Sequence, residues 1–168
     1  MRAAVVTVSD RVSRGEAEDR SGPAARAALE ALGFEVSGVR VVPDGTATVA
    51  AVLNDLVGSV DLVVTTGGTG FTRRDLTPEA TASVVERPAP GLAEAIRAAT
   101  FGKNPHGMLS RGLAGISGST LIVNLPGSVK GVEESLDVIG PALRHGVELL
   151  TNAHSDHNVG DPSPDLNP

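Results

Sequence analysis

Four short valine-rich runs, Ala3–Val8, Val36–Val42, Val60–Val64 and Leu121–Val123, constrain the fold of this chain most tightly. They are continuous rather than alternating, the pattern of strands covered on both faces. Between them apolar residues recur at helical spacing. Ala25, Ala28, Leu29 and Leu32 share one face, with Ser21 expected as N-cap, Pro23 in the first turn and Gly33 closing the helix. Val49, Val52, Leu53 and Leu56 mark a second helix, Thr77-Pro78-Glu79 opens a third, and Leu92, Ala95, Ile96 and Ala99 mark a fourth. A long stripe from Val129 to Leu150 makes a fifth, which Gly140-Pro141 is expected to kink or break. Strand-helix alternation of this kind predicts an α/β domain, its sheet mainly parallel, with helices on both faces. Ala114–Ser117 reads as a short extra strand that Gly118 turns into the run at Leu121.

Composition narrows what fills and surrounds that sheet. The chain has 168 residues, 40 % of them hydrophobic, with three Phe and no Trp or Tyr, so the core must be Val, Leu, Ile and Ala. Without cysteine there is no disulfide, thiol nucleophile or cysteine-zinc site. A net charge of −6 argues against a general nucleic-acid partner. No apolar stretch approaches bilayer length, and the first residues enter a strand without a signal-peptide pattern. The expectation is a cytoplasmic protein with no membrane contact. Residues 1–153 read as one domain, and from His154 to Pro168 the chain is a polar tail expected to be disordered.

The chemistry concentrates where strands end. The run Val60–Val64 leads into Thr65-Thr66-Gly67-Gly68-Thr69-Gly70, then Arg73-Arg74-Asp75-Leu76-Thr77-Pro78-Glu79. Strand, bare backbone, carboxylate and helix start, in that order, build a site for a phosphorylated ligand at the carboxyl end of a sheet strand. Glycine matters there because no Cβ keeps the ligand from the backbone. The standard nucleotide motifs are absent: there is no Gly-Lys-Ser/Thr, and Arg73 stands where a dinucleotide fingerprint needs its third glycine. No serine sits in a nucleophile elbow, and His154 and His157 lie in the polar tail without partners. Asp75 is either a cap carboxylate or a ligand to a cation. Asp44, in Val42-Pro43-Asp44-Gly45, is either part of an ordinary turn or its counterpart. Both follow parallel strands, so both belong at one sheet edge, where two carboxylates could hold Mg²⁺ against phosphate oxygens. Ser9-Asp10-Arg11 follows the first strand, and Asp19-Arg20-Ser21 leads into the first long helix, whose N-terminus could bind an anion. Asn124-Leu125-Pro126-Gly127-Ser128 joins another strand to another helix and reads as a turn or as a further wall of the same pocket. Ser110 and Arg111, in a polar stretch broken by Gly and Pro, either reach a ligand or cap a subunit interface.

Together these segments resemble the molybdopterin-binding family: the bacterial molybdopterin adenylyltransferases of the Mog/MoaB type and the plant and gephyrin G domains. The likeness runs from about Val5 to Leu150 and is carried by Ser9-Asp10-Arg11, Asp19-Arg20-Ser21-Gly22-Pro23, Pro43-Asp44, Thr65 to Gly70, Arg74-Asp75-Leu76-Thr77-Pro78-Glu79, Met108-Leu109-Ser110-Arg111 and Leu125-Pro126-Gly127. The resemblance implies a three-layer α/β/α domain that assembles as a homotrimer, or a hexamer in some relatives. It implies transfer of AMP from Mg-ATP to the terminal phosphate of molybdopterin, release of pyrophosphate, and handover of the product to a molybdenum insertase. By resemblance Asp44 and Asp75 are the catalytic and Mg²⁺-orienting residues. Ser9, Asp10, Ser21, Thr66, Gly67, Gly68, Thr69, Gly70, Thr77, Pro78, Glu79, Ser110, Arg111, Pro126 and Gly127 are expected to bind the substrates molybdopterin and ATP, with the Thr66–Gly70 amides and the first long helix's N-terminus on phosphate or on the polar edge of the pterin. The alternatives are a non-catalytic molybdopterin binder or carrier, and a nucleotide-processing enzyme built on the same domain.

Overall fold

The computed structural model describes residues 1–152. In chain order the elements are β1 (Arg2–Val8), α1 (Asp10–Ser13), α2 (Ser21–Ala31), β2 (Glu35–Val42), α3 (Thr46–Leu56), β3 (Leu62–Thr66), α4 (Thr77–Val84), β4 (Arg87–Pro88), α5 (Pro90–Ala99), a 3-10 turn (Pro105–Leu109), β5 (Ala114–Ser117), β6 (Thr120–Leu125) and α6 (Val129–Asn152). The strands form one sheet in the order β2-β1-β3-β6-β5-β4. Pairing is parallel from β2 through β6 and antiparallel from β6 to β4. The predicted α/β class and mainly parallel sheet are therefore observed.

Side chains alternate between two cores, one on each face of the sheet. Ala3, Val5, Leu62, Val64, Leu121 and Val123 pack under α2, α5 and α6. Ala4, Val6, Val8, Val63 and Ile122 pack under α3 and α4. This is the three-layer arrangement. Phe34 is the single aromatic in either core, so the packing is aliphatic as composition required. Among the described residues no helix is long and apolar enough to cross a membrane.

Four expectations need correction. β2 does not read as a covered strand: it lies at the sheet edge, and of its eight residues only Val36 is buried. β3 begins at Leu62, not Val60, and runs on to Thr66, which delivers Thr65 and Thr66 to the sheet. Ser21 is not the N-cap of α2 but its first residue; the capping oxygen is Asp19 Oδ1, which accepts from the Gly22 amide at 2.9 Å. Gly140-Pro141 does not break α6, which runs continuously from Val129 to Asn152. Pro141 deprives the Asp137 carbonyl of its helical donor, but both residues face solvent, so water can replace that bond. Gly140 is buried instead, and a Cβ there would come 2.9 Å from Leu32, so this glycine lets α2 and α6 approach. The polar stretch from 154 lies outside the described residues.

The sheet places four strand ends, Val8, Val42, Thr66 and Leu125, along one rim. The loops that leave that rim carry Ser9-Asp10, Asp44, Gly67 to Asp75, and Pro126 to Ser128.

Candidate active site

The centre of the rim is the turn after β3. Gly67 and Gly68 both have positive φ, +96° and +64°. A side chain on Gly67 would collide with the Val8 carbonyl, and one on Gly68 with the Thr77 hydroxyl. The Gly67 amide extends the sheet ladder by donating to the Leu125 carbonyl at 3.2 Å, so it is not available to a ligand, contrary to expectation. The amides of Gly68, Thr69 and Gly70 donate to no oxygen among the described residues. Three consecutive uncommitted donors at a strand end are an anion cradle.

Buried polar residues hold this turn from behind. Thr77 is fully buried; its hydroxyl donates to the Gly67 carbonyl at 2.9 Å and its amide to the Gly68 carbonyl at 3.1 Å. The first residue of α4 thus grips the turn and contacts no cleft. Pro78, buried beside it, starts the helix where a missing N–H costs nothing. Thr66 donates to the Pro126 carbonyl at 2.8 Å, joining β3 to the loop before α6. Asn124 was read only as part of that junction. It is 3 % exposed, donates through Nδ2 to the hydroxyls of Thr65 (3.0 Å) and Thr81 (2.9 Å), and accepts from the Leu113 amide at 3.3 Å. One amide side chain therefore ties β6, β3, α4 and the approach to β5.

Two clefts open on either side of the glycine turn. The first, about 470 Å³, is lined by Ser9, Ser21, Asp44, Thr66, Gly67, Gly68, Asp75 and Gly127, together with Glu18, Asp19 and Ser128. The N-terminal ends of α2 and α6 both open on it, through Ser21 and Val129, and add their positive dipole ends. The second, about 600 Å³, is lined by Thr69, Gly70, Ser110 and Pro126, with Ile96, Ala99, Leu109 and Val138 as its apolar part, Lys103, His106 and Lys130 as its basic part, and Glu134 and Asp137 on the α6 side. Ser128 belongs to both clefts. It was not among the expected site residues, although a serine just before an apolar helix was a usable signal: its Oγ caps α6 by accepting from the Gly131 amide at 3.1 Å.

The two carboxylates expected at one edge do line the same cleft. Asp44 Oδ2 accepts from the Asp10 amide at 2.8 Å, while Oδ1 faces the glycine turn, 3.3 Å from where a Gly68 Cβ would sit. Asp75 Oδ2 accepts from the Thr72 amide at 2.8 Å and lies 3.1 Å from the Cβ position of Gly70. Each carboxylate keeps one oxygen without a hydrogen-bond donor among the described residues. Asp19 differs: its oxygens are engaged by Gly22 and by the Thr7 hydroxyl at 2.7 Å.

Asp10, Glu79 and Arg111 line neither cleft. Asp10 binds the Asp44 loop and Arg74. Arg111 donates through Nε to the Gly70 carbonyl at 2.8 Å, through Nη2 to the Asp75 carbonyl and through Nη1 to the Glu79 carboxylate, and its own amide donates to the Thr69 carbonyl at 2.9 Å. Its planar fork spans both ends of the 70–75 loop, a task lysine cannot perform. The Arg111 hydrogen bond holds the Glu79 carboxyl below its ordinary range, partly opposed by desolvation. No group of three potential metal-ligating side chains occurs among the described residues.

Comparison with known proteins gives the geometry a family. A profile described as "Probable molybdopterin binding domain" matches residues 4–145. Gephyrin of Dictyostelium discoideum is 40 % identical over 159 residues, 88 % of this chain, yet the chain spans only 22 % of that protein's length. The molybdopterin adenylyltransferase of Helicobacter pylori is 37 % identical, over 92 % of this chain and 90 % of its own. Among solved structures, the molybdopterin biosynthesis enzyme MoaB of Thermus thermophilus superposes with a TM-score of 0.85 at 44 % identity, covering 90 % of this chain and 96 % of that one. The match spans the sheet, both clefts and the glycine turn between them, and the chain belongs to the molybdopterin-binding domain family.

Proposed function

We propose that this chain is a molybdopterin adenylyltransferase acting in molybdenum cofactor biosynthesis. The observation that carries the reading is the row of uncommitted amides at Gly68, Thr69 and Gly70, set between two clefts, with Asp44 and Asp75 beside it. The first cleft is polar and receives two helix N-termini, which suits a polyphosphate. The second combines an apolar wall with basic side chains, which suits a fused ring that carries a phosphate. Two phosphorylated substrates entering from opposite sides bring their phosphates together over the glycine turn.

The reaction is adenylyl transfer. A terminal phosphate oxygen of molybdopterin forms a bond to the α-phosphorus of ATP. The bond from that phosphorus to the bridging oxygen breaks, and pyrophosphate leaves with the electron pair. The nucleophile is already anionic, so the protein's work is alignment and charge compensation rather than proton removal. The free amides receive phosphate oxygens, and Arg111 keeps the 70–75 loop in the shape that presents them.

Two carboxylates beside a phosphate cradle would repel the substrate unless a cation joins them. Mg²⁺ fits this donor set, because it is held by one or two carboxylates and completes its shell with phosphate oxygens and water. The spare oxygens of Asp44 and Asp75 are the ones that would hold it, and it would supply charge neutralisation at the transferring phosphate. The same reading includes a homotrimer, supported by the exposed Phe101, Met108 and Leu109 beside the second cleft, a cytoplasmic location, and handover of the adenylylated product to an insertase.

The test is single-turnover formation of adenylylated molybdopterin from molybdopterin and Mg-ATP, in wild type and Asp75→Asn. Product in wild type, with a large loss in the variant, supports the assignment. Tight molybdopterin binding without product in either protein would make the chain a carrier.

A further inference from the structure

The β1 and β2 loops are joined by a reciprocal pair of hydrogen bonds that the reaction described above does not use. The Asp10 amide donates to Asp44 Oδ2 at 2.8 Å, and the Asp44 amide donates to Asp10 Oδ1 at 3.1 Å. Each aspartate binds the other's backbone. Beneath them the Ser9 amide donates to the Val42 carbonyl at 2.9 Å, so the pair sits directly on the ends of two adjacent parallel strands. With Oδ2 of Asp44 held in this way, its other oxygen is fixed toward the glycine turn.

The arrangement continues outward. Arg74 Nη1 donates to Asp10 Oδ2 at 3.0 Å, and Arg14 Nη1 stands 4.0 Å from the same oxygen. Arg74 is the residue before Asp75. The contacts therefore run from Asp44 through Asp10 and Arg74 to the backbone of Asp75, joining three loops of the rim. Asp10 is itself only 21 % exposed and lies outside both clefts. In this structure its carboxylate is turned to the Asp44 amide and to Arg74.

We propose that Asp10 is a positioning residue: its amide turns the Asp44 carboxylate toward the glycine turn, its carboxylate anchors the Asp44 amide so that the loop keeps that register, and Arg74 ties the arrangement to the Asp75 loop. The inference rests on the reading of Asp44 as a residue of the reaction. An Asp10→Asn side chain still offers an oxygen to the Asp44 amide, whereas Asp10→Ala offers nothing.

The experiment compares wild type, Asp10→Asn, Asp10→Ala, Asp44→Asn and the Asp10→Ala/Asp44→Asn double variant, with circular dichroism to establish that each is folded. Single-turnover adenylyl transfer, equilibrium binding of Mg-ATP and amide hydrogen exchange at Asp44 are measured on each. Asp10→Ala should slow transfer by roughly 10- to 100-fold, as loss of a supporting partner does, with the ATP dissociation constant changed less than about threefold. Asp10→Asn should recover most of that loss. The double variant should be no slower than Asp44→Asn alone, because the two residues act as one unit. The Asp44 amide should exchange faster in Asp10→Ala and not in Asp10→Asn. Equal losses in Asp10→Asn and Asp10→Ala, with weakened ATP binding, would overturn the proposal and make Asp10 a ligand contact. Unchanged exchange at Asp44 would also overturn it. If wild type forms no product, the adenylyltransferase reading fails, and the exchange data still decide whether Asp10 holds the Asp44 loop.

Discussion

Replacing Asn124 with leucine tests whether the buried amide behind the glycine turn holds the site together. The two side chains share a branched shape and the same number of heavy atoms, so the change removes hydrogen bonds without opening a cavity. Three bonds disappear: two donated to Thr65 and Thr81 and one accepted from the Leu113 amide. At about 1 kcal/mol net for each, the loss is roughly 3 kcal/mol. The Leu113 amide is left without a partner among the described residues, and the estimate sits inside a range of about 2–5 kcal/mol. For a domain of this size, 1 kcal/mol displaces the midpoint by about 2–4 °C. Thermal unfolding followed by far-ultraviolet circular dichroism should therefore show Asn124→Leu melting about 6–12 °C below wild type. Urea unfolding should give the same free-energy difference with an unchanged m-value. A midpoint within about 2 °C of wild type would refute the reasoning, because it would mean that apolar packing at this position replaces the network without cost.

Gly67→Ala should destabilise the domain by about 3 kcal/mol or more, since the backbone strain is compounded by the collision with the Val8 carbonyl; urea unfolding measures it. Arg111→Lys should lower the transfer rate at saturating substrate more than it changes ATP affinity, because one ammonium cannot reach the Gly70 and Asp75 carbonyls and Glu79 together. The Glu79 carboxyl titrates below its ordinary range in the folded state, so its pairing with Arg111 stabilises at neutral pH and is lost as pH falls through that lowered value. A stability deficit of Glu79→Gln, under about 1 kcal/mol for so exposed a pair, should therefore be present at neutral pH and vanish in acid, as urea midpoints at the two pH values will report. Pro141→Ala should restore a helical donor to the Asp137 carbonyl and raise the melting temperature.

The fold was legible because its signals are local. Valine runs and helical stripes are written in consecutive residues, and the strand ends they imply bring Asp44 and Asp75 to one rim without any long-range information. The glycine turn was legible for the same reason. Its details were not. Whether a glycine amide is free depends on the neighbouring strand, and Gly67 spends its amide on Leu125. Arg111 and Thr77 carry polar groups that suit a ligand, yet both are consumed by backbone carbonyls that only the folded chain brings near them. Ser21 looked like a cap because serine favours that position, but Asp19 lies two residues earlier and is the acceptor for Gly22. β2 reads as a buried strand from its valines, and its place at the edge is fixed by the order of strands, which no single segment encodes.

The direction of α6 has a consequence for how such a domain can be used. It leaves the rim of strand ends just after Leu125 and runs back along the sheet to Asn152, while β1 begins at Arg2 on the far side. The backbone therefore enters and departs at the rim opposite the reactive one. Within the described residues, the element ends at Arg2 and Asn152 line neither cleft, so a change at either leaves the glycine turn untouched.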